Sequence, residues 1–139
     1  MASQRLKQNI IVVLSIFLMM TILAGCATTA DKVDKLELAT RGYEKALRWS
    51  KFDMAYSYFK WDSAEPPSIP DYLSNVRITK YIITNRNFDE ESMTATQAVS
   101  IRYYHQTDPR ERSMEDHQKW KYFSDKKRWY LISDPPEFK

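Results

Sequence analysis

Histidine and carboxylate side chains that could hold a metal ion are concentrated in one stretch of the sequence. They are His105, Asp108, Glu115, Asp116 and His117. Imidazole and carboxylate groups suit zinc, but no His-x-x-x-His pair and no cysteine pair gives these residues the spacing of a metal site. Because they fall in a polar connection, we expect a solvated loop here and predict no metal and no cofactor.

Motifs for nucleotide or ester chemistry do not occur in the sequence. The chain has two glycines, Gly25 and Gly42. Neither belongs to a Gly-x-Gly-x-x-Gly loop or to a Gly-x-Ser-x-Gly elbow. A nucleotide-dependent enzyme and an esterase of this type are therefore disfavoured.

The N-terminal segment has the features of an export signal. Residues 1–9 carry Arg5 and Lys7 and no acidic residue, and an apolar run follows from Ile10 to Leu23. As a helix, a run of this length rises roughly 21 Å, which is short of the ~30 Å hydrocarbon core of a bilayer. A basic leader followed by such a run is typical of a signal peptide rather than of a membrane span.

The sequence Leu23-Ala24-Gly25-Cys26 ends this segment and resembles the lipobox of bacterial lipoproteins. The resemblance implies cleavage between Gly25 and Cys26, followed by acylation of Cys26. Two or more acyl chains would anchor the product stably in a membrane. The alternative is an uncleaved N-terminal anchor with an accidental cysteine.

Cleavage at this position divides the chain into a signal peptide (1–25), a lipidated tether (26–32) and a single domain (33–139). Ala27 follows the cysteine where an aspartate would favour inner-membrane retention in Gram-negative lipoproteins. We therefore expect delivery to the outer membrane.

Size and charge limit what the domain can be. The 139 residues include 21 basic and 18 acidic side chains, and removal of the signal takes away Arg5 and Lys7. A chain of this length has room for one hydrophobic core. Because the mature chain is nearly neutral, a nucleic-acid partner has no electrostatic support.

Two helices are predicted at the start of the domain. From Asp31 onward, apolar residues recur at helical spacing, with Gly42 as an internal weak point. Ser50 and Asp53 form a Ser-x-x-Asp pattern that can cap a helix. This pattern predicts a second helix with an aromatic inner face that ends near Trp61.

Four strands are predicted after a proline-rich loop, because the spacing of apolar residues changes to alternation at Val76. The pattern predicts strands from Val76 to Thr84, Met93 to Tyr103, Glu115 to Phe123 and Arg128 to Ser133. Turns are predicted at Asn85–Glu91, Thr107–Arg110 and Asp125–Lys127. This order predicts an α+β domain in which two N-terminal helices pack on a curved four-stranded antiparallel sheet.

The helices and the last strand carry a second resemblance. The pattern Tyr43-x-x-Ala46-Leu47-x-Trp49-x-Lys51-Phe52-Asp53-x-Ala55-Tyr56-x-Tyr58-Phe59, with a closing Trp129-Tyr130-Leu131-Ile132, is similar to the NTF2-like (cystatin-like α+β cone) superfamily. The resemblance covers roughly residues 33–133 and implies a sheet that curls around the helices and can enclose an apolar pocket. Because this fold hosts binding domains, isomerases and dehydratases, it does not assign a function.

Catalytic members of that superfamily use acid, tyrosine or histidine groups that point into the pocket. The residues that could do so here are Asp53, Tyr56, Tyr58, Tyr103 and His105. No spacing among them is diagnostic, and capping accounts for Asp53. We therefore expect Tyr56, Tyr58, Phe59 and Tyr103 to form core or pocket wall rather than an active site.

A basic and aromatic surface is predicted on the solvent face of the sheet. Its residues are Arg77, Tyr81, Arg102, Tyr104, Lys121 and Arg128. Such a surface can recognise acidic partners or glycans through charge-assisted hydrogen bonds and stacking. The alternative is that these are ordinary solvent-side residues of a one-sided antiparallel sheet.

The lipobox and the lack of a coherent catalytic set favour a non-enzymatic binding or assembly module, anchored in the cell envelope, with another envelope protein or a ligand as partner. The alternative is a small pocket enzyme or ligand carrier of the ketosteroid isomerase-like type. That alternative requires a deep cavity containing an ionisable residue with a shifted pKa.

Overall fold

The computed structural model describes residues 4, 5, 9 and 29–139. The chain forms two compact units, Met1–Asp34 and Lys35–Lys139. All residues described in the first unit are helical. The predicted apolar run, the lipobox and lipidation at Cys26 lie outside the described residues. Within the described part of the chain, no helix is both long enough and apolar enough to cross a membrane.

Helix α1 (residues 29–48) includes two helical residues before the predicted start at Asp31. In the second unit its inner face buries Leu36, Tyr43, Ala46 and Leu47. These residues occupy positions i, i+7, i+10 and i+11, so they share one stripe of the helix. The amphipathic pattern therefore predicted correctly which face of α1 is buried.

Ser50 ends α1 rather than beginning a second helix. Its φ angle is +54°. Its N–H donates to the Leu47 carbonyl over 3.0 Å, and the Lys51 N–H donates to the Ala46 carbonyl over 2.8 Å. This pair of bonds around a left-handed residue is a Schellman motif. The Ser50 hydroxyl donates to the carbonyl of Val76, 3.1 Å away, so it is not available as a helix cap.

The second helix is much shorter than predicted. Helix α2 spans only Phe52–Tyr56 and has no side-chain cap, so the prediction of a capped helix reaching Trp61 is wrong. The chain after α2 pairs with the last strand instead: the Leu131 N–H donates to the Tyr58 carbonyl, and the Lys60 N–H donates to the Leu131 carbonyl, each over 2.8 Å. This pairing supplies partners to a sheet edge that further helix would leave unpaired.

The sheet contains four antiparallel strands in chain order. They are β1 (Val76–Asp89), β2 (Thr94–His105), β3 (Asp108–Phe123) and β4 (Arg128–Leu131), and a 3₁₀ helix (Asp71–Asn75) precedes β1. The predicted α+β class and antiparallel sheet are confirmed. The predicted turns at Asn85–Glu91 and Thr107–Arg110 are too long, because cross-strand pairing continues to Asp89 and resumes at Asp108. Strand β4 ends at Leu131, two residues earlier than predicted.

A register irregularity in β1 changes which side chains face the core. It lies between Ile78 and Lys80. Ile78 is buried before it and Tyr81 is buried after it, whereas Ile82 is exposed. An extra residue in a strand reverses the alternation of faces. The prediction that Tyr81 lies on the solvent face is therefore wrong.

Aromatic side chains fill the space between α1 and the sheet. Trp120 and Trp129 are completely buried. Tyr43 meets Trp120 edge to face, with ring centroids 5.9 Å apart. A Cβ atom at Gly42 would collide with the hydroxyl of Tyr58. Gly42 therefore lets the Tyr58 ring lie close to α1.

Candidate binding surface

Six side chains around the β3–β4 turn form a basic and aromatic cluster, called the β3–β4 corner below. They are Tyr58, Lys60, Lys121, Phe123, Arg128 and Tyr130. The strand register pairs Lys121 with Tyr130 and Phe123 with Arg128. Because directly opposite residues of antiparallel strands project from the same face, pairing brings these four side chains together.

The guanidinium of Arg128 lies against two aromatic rings. Its carbon is 5.3 Å from the ring centroid of Tyr58 and 5.2 Å from that of Tyr130. Phe123 meets Tyr130 edge to face at 5.6 Å. Contacts of a cation with ring faces are electrostatically favourable and leave the edge of the guanidinium free for hydrogen bonds.

Two lysines extend the positive charge around Phe123. The ammonium nitrogens of Lys60 and Lys121 lie 6.0 and 5.9 Å from its ring centroid. Among the residues that the structure describes, the side chains of Lys121 and Arg128 make cation–π contacts but no hydrogen bond and no ion pair. Their N–H groups can therefore bind an anionic group supplied by another molecule.

An open groove of about 320 Å³ lies between α1 and the β3–β4 corner. Its lining residues are Lys35, Leu38, Ala39, Tyr58, Lys127, Arg128 and Trp129. Tyr58 and Arg128 belong to both the groove and the corner. The two features together offer positive charge, apolar surface and exposed ring area to a single partner.

The basic surface predicted from the sequence does not form one patch. Arg102 pairs across strands with Ser113, which lies eight residues before Lys121 along β3; this is roughly 26 Å at the rise of a strand. Arg102 is 3.6 Å from the carboxylate of Glu111. The structure therefore separates Lys121 and Arg128 from the other predicted members.

The remaining members of that predicted surface have partners of their own. The Arg77 guanidinium donates to the carbonyls of Ser74 and Val76, at 2.9 and 2.8 Å. Tyr104 is half-buried opposite Arg77 in the register. Tyr81 is only 9 % exposed. None of the three belongs to the corner.

Among the grooves of the described residues, the predicted pocket-wall residues lie at different places. Tyr58 belongs to the corner, and Phe59 is buried in the core. Tyr56 lines an open groove of about 680 Å³ with Tyr72 and residues 134–139. Tyr103 is buried, and its hydroxyl donates to the carbonyl of Lys139 over 2.6 Å.

A buried polar network on the inner face of the sheet was missed by the sequence analysis. The Gln118 amide donates to the Tyr81 hydroxyl (2.9 Å) and the Asp116 carboxylate (2.7 Å), and its oxygen accepts from Gln97 (2.6 Å) and from the Trp120 indole N–H (3.3 Å). These residues occupy inward positions of β1, β2 and β3, in phase with apolar neighbours. Their alternation in step with buried apolar residues is the one sequence feature that indicates inward positions. A search for apolar periodicity does not find them, because these residues are polar.

The network continues to α1 through Arg86. Its guanidinium donates to Gln97 (2.9 Å), to the Glu37 carboxylate (2.7 Å) and to the Thr40 hydroxyl (3.2 Å). The hydrogen bond from Arg86 holds the pKa of Glu37 below its ordinary value. The network therefore links the helix to three strands of the sheet.

Burial raises the pKa of Asp116, while the hydrogen bond from Gln118 opposes that change. Burial also raises the pKa of Tyr81. Each group is less easily ionised than in water because desolvation penalises the charged form. Every described buried side-chain nitrogen and oxygen has a hydrogen-bond partner.

Comparison with protein-family models, with curated proteins and with solved structures finds no match for this chain. No related protein suggests a partner, so we infer the class of partner from the contacts of the β3–β4 corner itself. Cations held by aromatic rings, with free N–H groups, suit an anionic or aromatic partner.

The histidine and carboxylate residues between 105 and 117 do not form the solvated loop that was predicted. All five lie in β2 or β3, and Asp116 is only 6 % exposed. The carboxylate of Asp108 is 2.8 Å from Arg110 and 2.6 Å from Arg112, which holds its pKa well below the ordinary range. Within the described residues, no three possible ligands group together for a metal ion.

Proposed function

We propose that this chain is a lipid-anchored protein of the bacterial outer membrane whose domain is a non-enzymatic binding module with an NTF2-like fold. The observation that carries the binding role is the β3–β4 corner, where Arg128 lies against two tyrosine rings with its side-chain N–H groups available. The partner that suits this surface is an envelope protein with an acidic segment.

The fold assignment draws on the packing of α1. The helix packs on the inner face of the antiparallel sheet through Tyr43, and the aromatic residues of the predicted pattern contribute to the core. The shortness of α2 departs from the resemblance.

Intact mass and membrane fractionation test the anchor. We expect the native protein to begin at an acylated Cys26 and to fractionate with outer membranes, and a Cys26→Ser variant to lose both properties. An unmodified full-length mass would instead assign residues 10–23 to a retained anchor.

Capture from native membranes tests the binding role. We expect the lipidated protein to recover a stoichiometric partner, and an Arg128→Gln, Lys121→Gln variant to lose it. Lys80→Gln, on the exposed part of β1, is the matched control and should retain the partner. Recovery of a clean monomer from the wild-type protein would contradict the proposal.

The small pocket enzyme is the second candidate, and the buried Asp116 with its raised pKa favours it. Against it, Trp120, Trp129 and Tyr43 occupy the interior where a substrate would bind. An Asp116→Asn variant that loses capture of a small molecule while keeping its fold would favour this candidate over the binding module.

A further inference from the structure

The outward face of α1 carries an aromatic, aliphatic and basic stripe, of which only Leu38 also lines the groove beside the β3–β4 corner. Leu38, Lys45 and Trp49 follow one another at intervals of seven and four residues, which places them on one side of the helix. Arg41 and Arg48 lie beside them. Leu38 is 70 % exposed and Trp49 is 72 % exposed, although both are large apolar side chains.

The charge of this segment is strongly biased. Residues 35–51 contain five basic side chains and two acidic ones, in a chain that is otherwise close to neutral. Both acidic residues are engaged: Glu37 with Arg86 and Arg41, and Glu44 with Arg48. Within the described residues, Lys45 has no ion pair. The stripe therefore presents net positive charge around an exposed tryptophan.

We propose that this face of α1, defined by Leu38, Arg41, Lys45, Arg48 and Trp49, lies on the headgroups of anionic phospholipids. The proposal rests on the lipid anchor at Cys26. Leu38 lies only twelve positions after Cys26, so the chain keeps Leu38 within about 40 Å of an acylated cysteine. Tryptophan rings favour the membrane interface, and basic side chains near an anionic surface add attraction.

An open groove of about 440 Å³ lies beside Trp49, lined by Arg41, Glu44, Lys45, Arg48 and Ile78. The groove gives the indole ring space on the side facing β1. With two apolar side chains in the stripe, contact is limited to the headgroup region and does not extend to insertion of the helix.

Tryptophan fluorescence of the acylated mature product, residues 26–139, in vesicles tests the proposal. Trp120 and Trp129 are completely buried and Trp61 is half-buried, so the difference from a Trp49→Phe variant isolates Trp49. In vesicles of phosphatidylcholine mixed with phosphatidylglycerol, we expect a blue shift and quenching by brominated lipid, both reversed by high salt. Neither should occur in phosphatidylcholine alone.

Charge variants make the test quantitative. Lys45→Gln should lower the ratio of lipid-bound to free Trp49 about fivefold, whereas Lys121→Gln in the corner should not change it. Identical Trp49 emission in neutral and anionic vesicles would overturn the proposal. A blue shift that depends on protein concentration but not on anionic lipid would also overturn it, because it would assign the face to a second copy of the chain.

Flotation with neutral vesicles separates this proposal from the anchor. Flotation there depends on acyl chains and not on the charge of α1. If it fails, the anchor is wrong, and quenching of Trp49 by anionic vesicles added to the unacylated chain still decides whether α1 binds headgroups.

Discussion

The two faces of one sheet use polar side chains in opposite ways. On the inner face, Gln118 makes four hydrogen bonds to other side chains. On the outer face, the side chains of Arg128 and Lys121 lie against aromatic rings and make no hydrogen bond within the described residues. The inner polar groups form their hydrogen bonds within the domain. The outer cations are held by ring contacts, and their N–H groups can still bind a partner.

This difference follows from solvent access. A buried polar atom without a partner loses its bonds to water, so a polar core requires complete pairing. An exposed cation keeps its water, and a ring contact can orient it without using its donors. The inner network should therefore control stability, and the corner should control recognition.

Gln118→Leu should break the inner network and cause the largest loss of stability among the substitutions considered. It leaves the Trp120 indole, the Gln97 amide and the Asp116 carboxylate without their present partner, and we expect a loss of about 3 kcal/mol in the free energy of unfolding. Urea denaturation followed by circular dichroism measures it. Arg128→Leu is the control on the outer face and should cost well under about 1 kcal/mol. Similar losses for both variants would remove the distinction between the faces.

Gly42→Ala should affect both stability and binding at the β3–β4 corner, because Tyr58 contacts α1 and Arg128. The new Cβ collides with the Tyr58 hydroxyl and displaces the ring that Arg128 contacts, so we expect a loss of about 1–2 kcal/mol from overpacking. Capture of the corner's partner should weaken in the same variant. In a Tyr58→Phe background the loss should shrink, because the colliding oxygen is gone. A gain in stability from helix propensity would show that Tyr58 moves without cost.

Asp116→Asn tests how the buried charge on the inner face affects stability. The asparagine oxygen can still accept from Gln118 but carries no charge, so we expect an increase on the order of 1 kcal/mol in stability at neutral pH. The folded-state pKa of Asp116 is raised above the ordinary value of 3.8. The native state therefore holds this proton more tightly than the unfolded chain, and Asp116 makes the protein less stable as pH rises from 3.8 through its folded pKa.

Unfolding of both proteins across acidic pH checks the sign. The difference between Asp116→Asn and wild type should be small in acid and grow as pH rises to neutrality. Carboxylates with lowered pKa values, such as Glu37 and Asp108, act in the opposite direction in both proteins and cancel in the difference. A difference that shrinks with rising pH would contradict the assignment.

The sequence predicted those parts of the fold that local patterns determine. The amphipathic stripe gave the buried face of α1, and alternation gave β2 with Ala95, Val99, Ile101 and Tyr103 inward. It failed where long-range pairing decides the structure: α2 stops early because Tyr58 and Lys60 bond to Leu131 in β4. The inward position of Tyr81 depends on a register irregularity that no local pattern reveals.

The candidate surface was predicted only in part, for the same reason. The sequence predicts Lys121 and Arg128 on a basic surface, but it places Tyr58 in a pocket wall and gives no signal for Phe123. Their proximity arises because the chain after α2 lies beside β4 and because the β3–β4 register pairs Phe123 with Arg128. Residue types indicate a basic and aromatic surface. Which residues form the β3–β4 corner depends on tertiary pairing.

Lys127→Gly should have the smallest effect and tests how the corner is built. Lys127 has a φ angle of +51° in the turn between β3 and β4, a conformation that glycine adopts without the steric cost of a Cβ atom. We expect a gain of roughly 0.5–1 kcal/mol in the free energy of unfolding by urea. Lys127→Ala is the matched control and should give no gain, since alanine keeps the Cβ. Equal stability of the two variants would mean that cross-strand pairing, and not turn conformation, fixes Phe123 opposite Arg128.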